Sequence, residues 1–192
     1  MDDLPAVWKA TCQVFAKAGV SPLSLDEFRK EFELPFTKFY DRYIPDVPID
    51  QLERCFHDAF SREQHSVSPM SHAASFLNFC SENQIRSFVL SAIHPQHFHV
   101  HDQKSGFGSH FEKIYTGVWD KREKIHAIIA AHGLTPEETL YIGDMEHDIE
   151  TAHHGGMAGC AVLTGFTRVP CCSKKLLRSV QYLLMVKNQL VI

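Results

Sequence analysis

Nowhere do the 192 residues run to the ~20 consecutive apolar positions that a membrane-spanning helix needs. Basic residues are not in excess either. Nineteen Lys and Arg stand against 23 Asp and Glu, a formal net charge of −4, which excludes a generic binder of nucleic acid or of anionic membranes. Repeats and low-complexity tracts are missing. The six cysteines show no recurrent short spacing, so neither a zinc site nor a disulfide framework is indicated. Cys12, Cys55 and Cys80 stand among apolar neighbours and read as small buried hydrophobes, while the adjacent Cys171 and Cys172 leave a redox-active pair as the alternative to plain thiols. Met1-Asp2-Asp3-Leu4-Pro5 carries no basic or apolar leader segment, and a cytoplasmic setting is expected. What the chain does have is 44% hydrophobic and 22% charged residues, the balance of an ordinary globular protein.

Residues 1 to about 65 carry helical periodicity only. Leu4, Val7, Trp8, Thr11, Val14, Phe15 and Ala18 form one stripe, stopped by Gly19. Leu25, Phe28 and Phe32 form a second, which Pro35 interrupts before Phe36, Phe39, Tyr40 and Tyr43. Leu52, Cys55, Phe56, Ala59 and Phe60 give a third face. Beyond residue 66 the rhythm changes. Short apolar runs at 87–91, 113–117, 140–142 and 160–163 alternate with helical patterns around Ala73–Cys80, Ile125–Ile129 and Ile149–Ala152. Such alternation predicts an α/β fold, a mostly parallel sheet with helices on both faces.

In open α/β sheets, ligands bind beyond the carboxyl ends of the strands. Ser91 follows Phe88-Val89-Leu90, Asp144 follows Leu140-Tyr141-Ile142-Gly143, Asp148 lies four residues on, and Lys121 opens the helix before the Asp144 strand. A hydroxyl, an ammonium and two carboxylates at one sheet edge suit a phosphate group beside a hard cation. Each alone has an ordinary reading too: Gly-Asp is common turn chemistry, and Ser91 could cap a helix.

Tyr141-Ile142-Gly143-Asp144-Met145-Glu146-His147-Asp148 through Gly156-Met157-Ala158-Gly159 resembles the fourth motif of the haloacid dehalogenase (HAD) superfamily, in its phosphoglycolate phosphatase-like branch. Phe88-Val89-Leu90-Ser91 resembles the second motif and Lys121 the third-motif lysine, with Lys124 as the fallback. The resemblance implies a Rossmann-like HAD core over residues 68–192 and an N-terminal helical cap over 1–67. It further implies Mg²⁺-dependent hydrolysis of a small phosphomonoester. Asp144 and Asp148 would hold the metal, Ser91 the phosphoryl oxygens, and Lys121 would neutralise charge in the catalytic step.

The sequence departs from the family at one point. No Asp-x-Asp pair occurs in the 192 residues, although the family's first motif supplies the nucleophile from such a pair at the end of a central strand. Asp2 and Asp3 match the residues just after that motif, and, not following a strand, are expected to stay away from the sheet edge. An inactive phosphatase is therefore expected, or a non-catalytic HAD-like binding or partner module, with weak Mg²⁺ affinity. A central first strand missing from the sheet would leave two inner edges unpaired, at a cost on the order of 10 kcal/mol. The slot is expected to close or be filled, by Tyr182-Leu183-Leu184-Met185-Val186 or by a second copy of the chain in a homodimer.

The thirteen histidines crowd at His94, His97, His99, His101 and His110. Alternating His97, His99 and His101 would share a strand face and suit a metal; the preferred reading is an exposed polar loop. His147 is expected to face the phosphate pocket, with His153 and His154 on a helix surface. Arg168, Lys174, Lys175 and Arg178 read as a solvated face. The expected partner is a small phosphorylated metabolite, with no nucleic acid and no membrane.

Overall fold

The computed structural model describes residues 1–162, 164–166 and 189–192. Four helices come first: α1 (Leu4–Lys17), α2 (Leu25–Glu31), α3 (Phe36–Tyr43) and α4 (Ile49–Glu63). Pro5 sits in the first turn of α1, where a missing N–H costs nothing. Gly19, at φ 75°, supplies the left-handed turn beyond its end. Ser24 and Glu27 form a capping box on α2, with Glu27 N donating to Ser24 Oγ (3.2 Å) and Ser24 N to Glu27 Oε2 (2.9 Å). The aromatic stripes are core: Phe15, Phe28 and Phe39 are fully covered. The rings of Phe15 and Phe39 stack at 5.8 Å. Ala6 and Ala10 of α1 pack with Ala59 and Phe60 of α4.

The α/β part follows as α5 (Ala73–Glu82), β1 (Arg86–Leu90), α6 (Pro95–Ser105), β2 (Lys113–Tyr115), α7 (Arg122–His132), β3 (Thr139–Gly143), α8 (Glu146–His154), β4 (Ala158–Ala161) and β5 (Gln189–Val191). The sheet is parallel throughout, in the order β2-β1-β5-β3-β4. Alternation sends Phe88, Leu90, Tyr141 and Val191 into a core with Ile125 and Ile128 of α7, while Leu140 and Cys160 meet Cys80 of α5 on the other face. This is the expected fold class.

The central slot is not empty. β5 lies between β1 and β3 and pairs with both, setting Val191 beside Phe88 on one side and Tyr141 on the other. Leu90 N donates to Ile192 O (2.8 Å) and Ile192 N to Phe88 O (2.9 Å). The inner edges are thus paired within the chain, which removes the edge on which a homodimer was expected. Tyr182–Val186, expected to fill the slot, lies outside the described residues. So do Cys171, Cys172, Arg168, Lys174, Lys175 and Arg178.

The histidine segment needs correcting. Residues 95–105 form a helix, neither strand nor exposed loop. His94 N-caps it by accepting from Gln96 N (3.3 Å), Pro95 holds its first turn, and Gly106 at φ 72° ends it. Helical spacing puts His97 and His101 on one buried face and leaves His99 exposed. Burial, then the neighbours His57 and His94, push His97 down to about 4, so near neutral pH it is an uncharged ring packed on Phe60 (4.8 Å between centroids). No described helix is long and apolar enough to cross a membrane.

Candidate functional site

The carboxyl ends of β1 and β3 flank β5, and beyond them lies a cavity of about 230 Å³ whose lining includes Asp3, Ser91, Lys121 and Asp144. Ser91 continues β1: its N–H donates to Tyr115 O (2.9 Å) and its carbonyl accepts from Val118 N (3.1 Å). Its Oγ accepts from Ile93 N (3.2 Å), a short turn that points the chain out of the sheet. Gly117, at φ 70°, closes the neighbouring loop by donating to Ile93 O (2.8 Å).

Lys121 stands just before α7 and is buried. Its Nζ reaches Asp148 Oδ1 at 2.5 Å, and Asp148 Oδ2 accepts from Met145 N (3.0 Å). Burial opposes the ammonium charge, but Asp148, Tyr141 and Asp144 outweigh it and hold the Lys121 pKa above its ordinary value. Asp148 packs against Gly143 so closely that a Cβ there would meet the aspartate's own Cβ at 2.3 Å, which explains glycine before Asp144. His147 is buried behind Lys121 and does not line the cavity as expected. Its Nε2 accepts from Lys121 N (3.2 Å), and burial lowers its pKa, so the ring is neutral with its proton assigned to Nδ1. It serves the lysine rather than a ligand.

Asp144 Oδ2 accepts from Phe166 N (3.0 Å). A Cβ on Gly165 would fall 1.6 Å from the same oxygen, so only glycine lets this segment close over the carboxylate. Arg29 of α2 holds the segment from above by donating to Gly165 O and to Phe166 O, and Phe166 packs on Phe28 and Phe32. The helical layer therefore touches the site through residues 165 and 166.

Asp3 corrects another expectation. It is carried at the start of α1, not on a strand, yet it lines the cavity beside Asp144. An antiparallel bridge from Asp2 to Ser68 fixes this end of the chain there. Sequence spacing could not reveal it, because the placement depends on how α1 docks. Burial first and Asp144 second raise the Asp3 carboxyl to about 6; burial, then Asp148, raise Asp144. A folded-state pKa above the unfolded one means stability fully present below about pH 4 and lost as pH rises through about 6. Asp3→Asn should stabilise the chain at pH 7.5 by about 2 kcal/mol and leave it unchanged at pH 3.5. Urea unfolding at both pH values checks this, and an equal effect at both would count against the carboxylate pair.

Two crowded carboxylates with raised pKa values are a hard-oxygen pair that a divalent cation would relieve, and Mg²⁺ is commonly held by one or two carboxylates plus water and substrate oxygens. Among the described residues no group of three His, Cys, Asp or Glu side chains converges as an all-protein metal cage. The donor set fits a cation that keeps most of its water. Of the residues singled out from sequence, Ser91, Lys121 and Asp144 meet at this cavity, and the same three line a second cavity of about 760 Å³ together with Asp148, whose carboxylate pairs with the lysine.

A parallel sheet with these groups at its carboxyl edge places the chain among the open α/β proteins that bind ligands there. The haloacid dehalogenase-like hydrolase family matches residues 1–162, and the chain belongs to that family. It is 29% identical over 109 residues to the phosphoglycolate phosphatase of Synechococcus elongatus, an alignment that takes in 54% of this chain and 51% of that protein. The chain thus spans about half the length of that curated relative. Its fold is similar to that of a predicted phosphatase from Clostridium acetobutylicum (TM-score 0.79, 12% identity, 100% of this chain and 88% of that one). It is also similar to a haloacid dehalogenase-like family protein from Streptococcus pneumoniae (TM-score 0.75, 16% identity, 99% and 87%).

Proposed function

We propose that this chain is a haloacid dehalogenase-type, phosphoglycolate phosphatase-like protein that holds a small phosphomonoester beside Mg²⁺ at the carboxyl ends of β1 and β3, without turning it over. The observation that carries this reading is the meeting of Ser91, Lys121 and Asp144 around one cavity. Ser91 donates its hydroxyl proton to a phosphoryl oxygen, and Lys121, held by Asp148, sets its positive charge against the phosphoryl group. Asp144, with Asp3 as second carboxylate, would hold the Mg²⁺, which supplies charge neutralisation to the phosphoryl oxygens when bound. Residues 1–67 act as the cap over a core formed by 68–192. A reducing, cytoplasmic setting suits the free thiols Cys12, Cys55, Cys80 and Cys160.

The absence of turnover rests on a sequence fact: none of the 192 residues belongs to an Asp-x-Asp pair. Without that nucleophile and its partner acid, the covalent route loses groups that act as a unit. The chain is expected to release no nitrophenol from 4-nitrophenyl phosphate above background in Mg²⁺, and calorimetry is expected to find Mg²⁺ alone binding more weakly than about 1 mM. Turnover that Asp3→Asn abolishes would overturn this and make Asp3 a substitute nucleophile.

A further inference from the structure

The cavity lining divides into two chemistries. Asp3, Ser91, Lys121 and Asp144 supply its charged and hydroxyl groups, while much of the rest is apolar and aromatic, with Phe36, Phe56 and Trp119 among them. Phe36 comes from the helical layer and Trp119 from the loop before α7, and their rings meet edge to face at 4.9 Å. Trp119 remains 38% exposed, which leaves part of its indole available to a ligand. Lys121 is the one Lys or Arg among the described lining residues, and it is already paired with Asp148. Glu53 adds a carboxylate to the wall. His57 and His94 also line it, with ring centroids 4.3 Å apart. Burial, then His94, lowers the His57 pKa.

Resting on the phosphoryl-binding reading above, we infer that the ligand is a phosphomonoester whose organic part is a single aromatic ring without a second anionic group. A carboxylate on the aromatic side would face Glu53, and among the described lining residues it would meet no Lys or Arg except Lys121, already paired with Asp148. The cavity that holds these aromatic walls measures about 230 Å³, above the roughly 150 Å³ of an apolar cavity that takes a benzene; the second cavity of about 760 Å³, which Asp3, Ser91, Lys121 and Asp144 also line, does not include Phe36 or Trp119. This separates the chain's ligand from phosphoglycolate, which carries a carboxylate where the described walls offer Glu53 and no unpaired Lys or Arg.

The test is calorimetry on the full chain in Mg²⁺ with three probes: inorganic phosphate, phenyl phosphate and 2-phosphoglycolate. Phenyl phosphate should bind at least about tenfold more tightly than the other two. Phe36→Ala and Trp119→Ala should each erase most of that preference, with circular dichroism confirming that they fold. Ser91→Ala should weaken all three ligands. Equal affinities, or tighter binding of 2-phosphoglycolate, would overturn the aromatic assignment alone. No binding by any probe, or binding indifferent to Ser91→Ala, would overturn the phosphoryl reading and this inference with it.

Discussion

Val191→Asp leaves the chain without a cooperative unfolding transition. Val191 is fully covered and sits on β5 with Phe88 on one side and Tyr141 on the other. Its described neighbours in the core are apolar or aromatic and include no charged group, and an unpaired buried charge costs several kcal/mol even after relaxation. Expelling β5 is no escape, because β1 and β3 would then both lose their ladder partner, and each buried group left unpaired costs roughly 1–3 kcal/mol. The sum approaches the 5–15 kcal/mol that holds a typical domain folded, on the order of the whole stability. Val191→Ala keeps the strand and removes only packing, so about 2 kcal/mol is expected. Thermal melts by circular dichroism compare the two. A Val191→Asp melt within about 2 °C of the parent would mean that β5 is not the central strand.

Asp148→Ala is expected to destabilise the chain by about 4 kcal/mol, because it strands the Lys121 ammonium in the interior and frees Met145 N–H from its acceptor. In a chain of this size that lowers the melting temperature by roughly 10 °C. Lys121→Met with Asp148→Leu removes both charges and should recover most of the loss, since the penalty belongs to the unpaired ion and not to the missing pair. Fluorescence-monitored urea unfolding of the singles and the double measures this. Strict additivity of the two single effects would contradict a direct pair.

The parts of the site that were legible in sequence sit on apolar parallel strands. Phe88-Val89-Leu90 and Leu140-Tyr141-Ile142 are short, fully apolar runs, so the residues that follow, Ser91 and Gly143-Asp144, mark the carboxyl edge by position alone. Asp148 is legible as part of the cluster, whereas its pairing with Lys121 is not, because it depends on a glycine at 143 that admits its side chain. The histidine helix is hidden from periodicity because imidazole counts as polar there, whereas His97 and His101 are buried against Phe60. Asp3 and β5 were hidden for a different reason. Three residues, Gln189–Val191, carry no period, and nothing local in Asp3 says where α1 docks; both are placed by tertiary packing across most of the chain.

One titration tests the account at its centre. Amide resonances of the full chain, followed while phenyl phosphate is added in Mg²⁺, should shift at Ser91 and Ile93, at Lys121, at Gly143 and Asp144, and at Val191 and Ile192, whose backbone runs between the two site-bearing strands. That pattern would put a phosphoryl ligand at a sheet edge built around β5. Shifts confined to the exposed faces of α5 or α6, or none at a ligand concentration of about 10 mM, would contradict it.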